Sequence, residues 1–131
     1  MTAKLDTSIL FIQVANLEAR ARPHAWHPST DLFESESGYT VQVEIAGMKD
    51  EDFSIQYNRN RLVISGRRQQ PNTKCAYHRM EIPSGEFSTI VELPSNVDIN
   101  SAAATYEKGF LTIHIPRKEP VNIEINPGKD A

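Results

Sequence analysis

Residues 39–45 read "YTVQVEI", a stretch in which apolar and polar side chains alternate without a break. Successive side chains of a β-strand point to opposite faces, so this alternation predicts a strand with one buried face and one solvated face. The predicted buried face carries Tyr39, Val41, Val43 and Ile45. The strand therefore needs a core on one side only, as in a sheet that packs against a second sheet.

The same period of two recurs along the rest of the central region. It appears in "FSIQY" (53–57), "RLVIS" (61–65), "FSTIVEL" (87–93) and "FLTIHI" (110–115), with turn signals or prolines between the segments. Several short strands separated by turn signals indicate an antiparallel sandwich or barrel. Helical patterns are nearly absent from this region, so we predict an all-β fold.

Size and charge limit the classes of function. The chain has 131 residues and a formal net charge of -3, with 14 basic against 17 acidic residues. This length suits a single domain with appended segments. The acidic balance argues against a general nucleic-acid-binding protein, which needs concentrated positive charge for phosphate contacts. The arginines of "NRNRLVISGRR" (58–68) are interpreted as solvated side chains or as partners of acidic residues.

The single cysteine, Cys75, cannot form an internal disulfide. Nothing therefore suggests an oxidising compartment, and we expect a cytoplasmic protein. Cys75 lies beside Lys74, a cation that would lower the pKa of a thiol. We favour an inert exposed cysteine over a redox switch.

The N-terminal segment has a different pattern. Apolar side chains three and four residues apart predict a short amphipathic helix over residues 5–19, with a strand or a disordered arm as the alternatives. The apolar run is shorter than the core of a signal peptide and far shorter than a membrane span. "RPHAWHP" (22–28) then breaks the pattern with two prolines, and residues 20–28 are interpreted as a linker.

Two segments have no place in a simple sandwich. Residues 67–86 connect two strands, although loops beyond about 12 to 15 residues are uncommon in compact domains. Their middle, "CAYHRMEI" (75–82), is compatible with a detached strand that reaches the sheet edge of another chain. Near the C-terminus, "VNIEIN" (121–126) alternates between Pro120 and Pro127, and its apolar face needs a cover from elsewhere.

Machinery for catalysis is missing from the sequence. It contains neither a Gly-x-x-x-x-Gly-Lys-Ser/Thr phosphate loop nor a Gly-x-Ser-x-Gly nucleophile elbow. His24 and His27 have a spacing that suits a metal, but no cysteine or HExxH partner accompanies them. We therefore expect no enzyme activity, no cofactor and no metal site.

Ordered motifs over most of the chain resemble those of the small heat shock proteins, the family built on an α-crystallin domain. "WHPSTDLFES" (26–35) is similar to the start of that domain, and "VEIAGMKDEDFSIQYNRNRLVISGRR" (43–68) includes its Leu-x-Ile-x-Gly signature. "YHRMEIPSGEFSTIVELP" (77–94) resembles the exchange loop followed by Gly-x-Phe and Leu-Pro. "ATYEKGFLTIHIP" (104–116) matches Ala-x-x-x-x-Gly-x-Leu, and "IEI" (123–125) resembles the Ile-x-Ile tail.

The resemblance implies an immunoglobulin-like antiparallel β-sandwich over residues 26–117, a short N-terminal arm over 1–25 and an extended C-terminal tail over 118–131. It also implies an ATP-independent chaperone, a holdase that forms homodimers and larger homo-oligomers, binds unfolded clients and passes them to ATP-dependent chaperones. Exposed apolar surface usually marks an interaction site. The expected client-binding residues lie in the arm, which packing inside an oligomer would explain equally well: Ile9, Leu10, Phe11, Ile12, Val14 and Leu17.

The resemblance further implies how chains assemble. The loop residues Tyr77, Arg79, Met80 and Glu81 are expected to pair with Asp31, Leu32, Phe33 and Glu34 of a second chain. The tail residues Val121, Ile123 and Ile125 are expected to fill a groove lined by Phe53, Ile55, Ile99, Ala103 and Thr105, with Ala103 as its floor. Gly109 is predicted to occupy a tight turn in which glycine has a positive φ at little steric cost.

One departure from the family pattern concerns a residue that is commonly arginine, two positions after the Phe of Gly-x-Phe. Here that position is Thr89, so an ionic cluster between chains is not expected at this point. Two other functions remain open from the sequence. A co-chaperone or adaptor with the same sandwich would lack the exchange loop and the Ile-x-Ile tail. A membrane-surface protein would need more basic residues than the N-terminal segment supplies.

Overall fold

The computed structural model describes residues 12–14, 24–70, 74–119 and 123–128. These residues form strands joined by turns and loops, with two single-turn 3-10 helices at Asp50–Asp52 and Ile99–Ser101. The strands are β1 (Ile12–Val14), β2 (Thr30–Ser35), β3 (Gly38–Glu44), β4 (Phe53–Asn58), β5 (Arg61–Arg68), β6 (Gly85–Glu92), β7 (Ala103–Glu107) and β8 (Phe110–Pro116). The predicted all-β fold is confirmed.

The strands form two four-stranded sheets, one in the order β1-β4-β5-β6 and the other in the order β2-β3-β8-β7. Every pairing is antiparallel except that of β1 with β4, which is parallel. The two sheets share one hydrophobic core, so the fold is the predicted sandwich. The edge strand β1 is the one element that departs from the antiparallel plan.

Alternation along the strands determines which side chains enter the core. On β3, Val41 and Val43 are fully buried, and Ile45 just beyond the strand is buried with them. Tyr39, the fourth member of the predicted face, is half-buried and packs against the same cluster. Buried residues from the neighbouring strands complete the core: Ile55, Leu62, Ile64, Phe87, Val91, Ala104, Leu111, Ile113 and Ile115.

The turn of the β7–β8 hairpin contains two residues with positive φ. Lys108 has φ 52° and Gly109 has φ 82°, the left-handed pair that a two-residue type I′ turn requires. A Cβ built on Gly109 would lie 3.3 Å from the Ala46 Cβ. Both the backbone conformation and the close neighbour therefore favour glycine at this position.

The helix preferred for residues 5–19 is wrong where the structure describes that segment. Residues 12–14 form a strand, the alternative left open by the sequence, because their backbone pairs with β4; residues 5–11 and 15–19 lie outside the described residues. In the exchange loop, residues 74–84 form bends. No described strand of this chain lies beside residues 75–82, and a strand without a neighbour has nothing to satisfy its backbone groups, so the predicted pairing with a second chain stays a prediction.

Candidate assembly and client-binding surfaces

The first candidate surface is the sandwich edge at which β4 and β7 approach each other. The rings of Phe53 on β4 and Tyr106 on β7 lie 4.9 Å apart at their centroids. Phe53 also meets Phe87 edge-on at 6.2 Å. Ile99, in the second 3-10 helix, is half-buried against the same core. Three of the five predicted groove residues, Phe53, Ile55 and Ile99, thus lie in or against the core, and Ile55 is 2% exposed.

The other two predicted groove residues, Ala103 and Thr105, lie on the opposite face of β7 from its buried residue. Ala104 is the buried residue of β7 at 1% exposure, whereas Ala103 and Thr105 on either side of it are half-buried. Because alternate residues of a strand face opposite sides, Ala104 faces the interior and Ala103 faces outward. Sequence reasoning missed both Ala104 and Tyr106, although Tyr106 shares the interior side of β7 with Ala104 two residues away.

Tyr106 also fixes the chain that follows β3. Its hydroxyl donates to the Ile45 carbonyl oxygen at 2.7 Å and accepts from the Met48 backbone N–H at 3.2 Å. One side chain therefore joins β7 to the segment that leads from β3 toward β4. Both backbone groups would otherwise need water or another partner.

The outer edge of β4 carries β1. Ile12 is paired with Ile55, Gln13 with Gln56 and Val14 with Tyr57. Ile12 and Val14 were predicted to bind clients, and the structure places their backbone at the edge of the sandwich. The other predicted client-binding residues, Ile9, Leu10, Phe11 and Leu17, lie outside the described residues.

The tail presents its predicted apolar face to solvent. Ile123 is 85% exposed and Ile125 is 91% exposed. Val121, the third member of that face, lies outside the described residues. Nothing in the described part of this chain covers the two isoleucines, so their burial requires another segment or another chain.

The second candidate surface is formed by β2 and the long loop. β2 lies at the end of its sheet, and its apolar side chains Leu32 and Phe33 are exposed, as are Asp31 and Glu34. All four predicted loop residues, Tyr77, Arg79, Met80 and Glu81, are exposed as well. In a single chain the two segments do not pair with each other.

Arg68 holds the long loop against the domain. Its guanidinium donates to the Pro83 carbonyl oxygen from Nε and Nη2 and to the Ala46 carbonyl oxygen from Nη1. It also lies 4.5 Å from the centre of the Trp26 ring. A cavity of about 330 Å³ opens beside Arg68, under the loop residues Met80 and Pro83. Arg68 therefore does more than keep a turn solvated, because it hydrogen-bonds two backbone carbonyl groups of its own chain.

Arg117 and Glu34 form an ion pair at the other end of β2. The hydrogen bond from Arg117 is the main cause that lowers the pKa of the Glu34 carboxyl, while desolvation works in the opposite direction. Arg117 also donates to the Glu36 carbonyl oxygen at 2.7 Å. This pair ties β2 to the segment that follows β8.

Within residues 12–14, 24–70, 74–119 and 123–128, no group of three or more His, Cys, Asp or Glu side chains is placed to hold a metal ion. His27, one of the two histidines considered for a metal, has its Nδ1 2.6 Å from the Ser88 carbonyl oxygen. No helix in the described part of the chain is long and apolar enough to cross a membrane. The described surfaces thus offer apolar side chains and unpaired strand edges.

Residues 31–127 match the family model described as the Hsp20/alpha crystallin family. The chain belongs to that family. Among curated relatives, small heat shock protein C4 of Rickettsia felis is 38% identical over 94 residues, which is 70% of this chain and 58% of that protein. The matched region spans about three fifths of the length of this relative.

Solved structures of the family share the sandwich. Heat shock protein 16.0 of Schizosaccharomyces pombe is 28% identical, with a TM-score of 0.64 over 78% of this chain and 98% of that chain. HSP18.5 of E. histolytica is 26% identical, with a TM-score of 0.65 over 77% of this chain and 100% of that chain. The sandwich described above is therefore an α-crystallin domain.

Thr89 occupies the position at which an arginine is common in the α-crystallin domain. Its hydroxyl lies 3.0 Å from the hydroxyl of Thr30, the first residue of β2. A short polar contact within the chain thus joins β6 to β2. The threonine side chain is uncharged, so it supplies no ionic contact.

Proposed function

We propose that this member of the Hsp20/alpha crystallin family is an ATP-independent chaperone that holds partly unfolded proteins and prevents their aggregation. The observation that carries the proposal is apolar surface left exposed on a domain whose core is already filled. Exposed apolar groups of this kind mark interaction sites. The exposed large apolar side chains of the described residues are Leu32, Phe33, Tyr77, Met80, Ile82, Phe110, Ile123 and Ile125.

Assembly into dimers would use the exposed edge of β2. The exposed loop residues 77–81 of one chain are proposed to pair with residues 31–34 of another. An unpaired strand edge offers backbone N–H and C=O groups to such a strand. Each loop would have to leave the contacts that Arg68 makes with Pro83, so the loop exchanges one set of backbone partners for another.

Assembly beyond the dimer would use the tail. Ile123 and Ile125 are proposed to enter the groove of a neighbouring chain between the outer edge of β4, beside Phe53 and Ile55, and β7 with Ile99. Burying two isoleucines fully contributes about 3 to 6 kcal/mol, and ordering the tail costs about 1 to 2 kcal/mol per residue. One tail therefore binds weakly, and many tails in one particle bind through effective concentration. Such a particle persists while individual contacts open.

Capture of clients would then follow from the opening of these contacts. The N-terminal residues 9–17 and the surfaces freed by dissociating tails supply apolar area to an unfolded chain. Release to ATP-dependent chaperones and a cytoplasmic location, which the single cysteine favours, complete the proposal.

The test is suppression of client aggregation without nucleotide. A heat-labile client protein is warmed with an equimolar amount of this chain after ATP has been removed enzymatically, and light scattering is recorded. We expect scattering to fall well below that of the client with an equal mass of an inert protein. The same sample is sized by light scattering before heating. Unchanged aggregation together with a monomeric chain would reject the proposal.

A further inference from the structure

The edge of β4 already has an occupant in a single chain. Residues 12–14, with the sequence Ile-Gln-Val, pair in parallel with residues 55–57. β4 has β5 on its other side, so β1 covers the only edge through which β4 can accept a further strand. A strand of three residues gains few backbone hydrogen bonds, and it docks reversibly for that reason.

The tail has the same spacing of aliphatic residues. Ile123 and Ile125 are separated by one polar residue, as are Ile12 and Val14. Both segments are short, and the isoleucines of the tail are exposed in the single chain. Because one strand edge binds one strand at a time, two such segments cannot occupy the edge of β4 together.

We propose that residues 12–14 are an internal competitor of residues 123–125 for the edge of β4. The inference deepens the proposed function and rests on its assignment of the tail to this edge. When β1 is docked, a chain cannot accept the tail of a neighbour. When β1 leaves, the chain gains an acceptor site for a tail and releases its N-terminal apolar residues in the same step.

Competition of this kind predicts a measurable change in affinity. The apparent dissociation constant of a tail equals the intrinsic constant divided by the fraction of chains in which the edge is open. If docking of β1 is the majority state, fewer than half of the chains are open. Removing the competitor should then strengthen tail binding by more than about twofold, and by about fivefold if four chains in five are docked.

The experiment uses the full chain carrying Ile123→Ser and Ile125→Ser, so that its own tails do not compete. A fluorescent peptide with the sequence of residues 119–127, EPVNIEINP, is titrated and anisotropy is recorded. Binding is compared between this chain and the same chain with Ile12→Ser and Val14→Ser added. Gln13→Ser is the matched control within β1, and a peptide with serine at both isoleucine positions is the control ligand.

We expect the Ile12→Ser/Val14→Ser chain to bind the peptide more than about twofold tighter than the parent chain, with Gln13→Ser close to the parent. Equal affinities would overturn the competition and leave the tail's acceptor site intact. A peptide that binds none of the chains would overturn both the competition and the proposed site for the tail. Neither outcome changes the result of the client-aggregation assay, which is a separate measurement.

Hydrogen exchange supplies a second readout of the same edge. Amides of residues 54–58 should exchange faster in the Ile12→Ser/Val14→Ser chain, and saturating peptide should restore their protection. Unchanged exchange would overturn the docking of β1.

Competition within one chain also requires that the ratio of the two peptide affinities, that of the Ile12→Ser/Val14→Ser chain to that of the parent chain, stays constant as protein concentration rises. A ratio that grows with concentration would assign the competing segment to a neighbour and reject the internal form proposed here.

Discussion

The rings of Phe53 on β4 and Tyr106 on β7 pack 4.9 Å apart at an angle of 59°. Each ring belongs to a different sheet, so this contact joins the sheets at the edge where β1 also lies. The Tyr106 hydroxyl extends the connection to Ile45 and Met48. The edge proposed to accept the tail is therefore held in place by one aromatic pair and its hydrogen bonds.

Tyr106→Phe should destabilise the domain by about 1 to 2 kcal/mol, because it keeps the ring but removes a partner from two backbone groups. The loss is measured by urea denaturation at one fixed protein concentration. Tyr57→Phe is the matched control, since the Tyr57 hydroxyl donates to the side chain of Asn60 in an exposed turn. The control should cost less than about 0.5 kcal/mol. Equal losses would mean that the Tyr106 hydroxyl bonds contribute nothing specific.

Gly66→Ala should destabilise the domain by about 3 kcal/mol, the upper range for overpacking a core. A Cβ at this position would lie 2.2 Å from the Asp52 carbonyl oxygen and 2.7 Å from the Phe87 ring. The first of these atoms belongs to backbone and the second to a fully buried side chain, so neither yields easily. Gly128→Ala is the control, because no atom of the described residues lies within 4 Å of the position of its Cβ. Comparable midpoints of thermal unfolding for the two variants would contradict the packing argument.

Phe33→Asp should convert dimers to monomers if β2 is the dimer edge. Phe33 is 48% exposed, and a carboxylate there would be buried against the partner's loop. The measurement is sedimentation velocity in a chain that also carries Ile123→Gly and Ile125→Gly, so that only the dimer contact is read. Phe110→Asp is the matched control, because Phe110 is 39% exposed on β8 in the same sheet. Dissociation caused by both variants, or by neither, would contradict the assignment of β2.

Ile123→Gly combined with Ile125→Gly should reduce the particle toward dimers while the sandwich stays folded. The two side chains are exposed in the single chain, so their loss removes no contact within the domain. Particle mass is measured by size-exclusion chromatography with light scattering, and folding is checked by circular dichroism. Glu124→Gln, which changes charge but leaves both isoleucines, should keep the large particle. A particle of unchanged mass in the double variant would assign the tail another role.

The ion pair of Glu34 and Arg117 should make the attachment of β2 sensitive to acid. The hydrogen bond from Arg117 lowers the folded-state pKa of Glu34 below 4.5. The associated stabilisation is therefore present above pH 4.5 and is lost as the pH falls through the folded-state value. Arg117→Gln should raise the Glu34 pKa in an NMR titration of its side-chain carboxyl carbon. Lys118→Gln removes the neighbouring positive charge but keeps Arg117, so the pKa of Glu34 should be lower in this variant than in Arg117→Gln. Identical Glu34 pKa values in the two variants would refute the pairing.

Much of the sandwich could be predicted because strand alternation is a local property. The buried faces of β3 and β8 follow from the period of two, and each of their apolar positions lies in or against the core. Arg68 could not be predicted in the same way. Its contacts with Trp26, Ala46 and Pro83 join residues that are distant in sequence. The local sequence gives no reason to expect these contacts from Arg68 and not from Arg67.

The candidate groove was predicted less completely than the core. Its location came from the resemblance to the family, but Ala104, rather than Ala103, is the small residue that faces the interior of β7. Alternation of Ala104 with Tyr106 was the available signal. Gly66, the glycine of the Leu-x-Ile-x-Gly signature, lies inside β5 where a Cβ would meet the Phe87 ring.

Local sequence patterns are enough to predict which side chains of each strand are buried, which turn needs glycine, and that the tail has an apolar face without a partner in the hairpins. These properties depend on neighbours within a few residues. The pairing of residues 12–14 with β4 and the contacts by which Arg68 holds the loop are visible only in the folded chain. Strand edges bind through backbone groups that every sequence carries, so the choice of partner is settled by which segments the fold brings together.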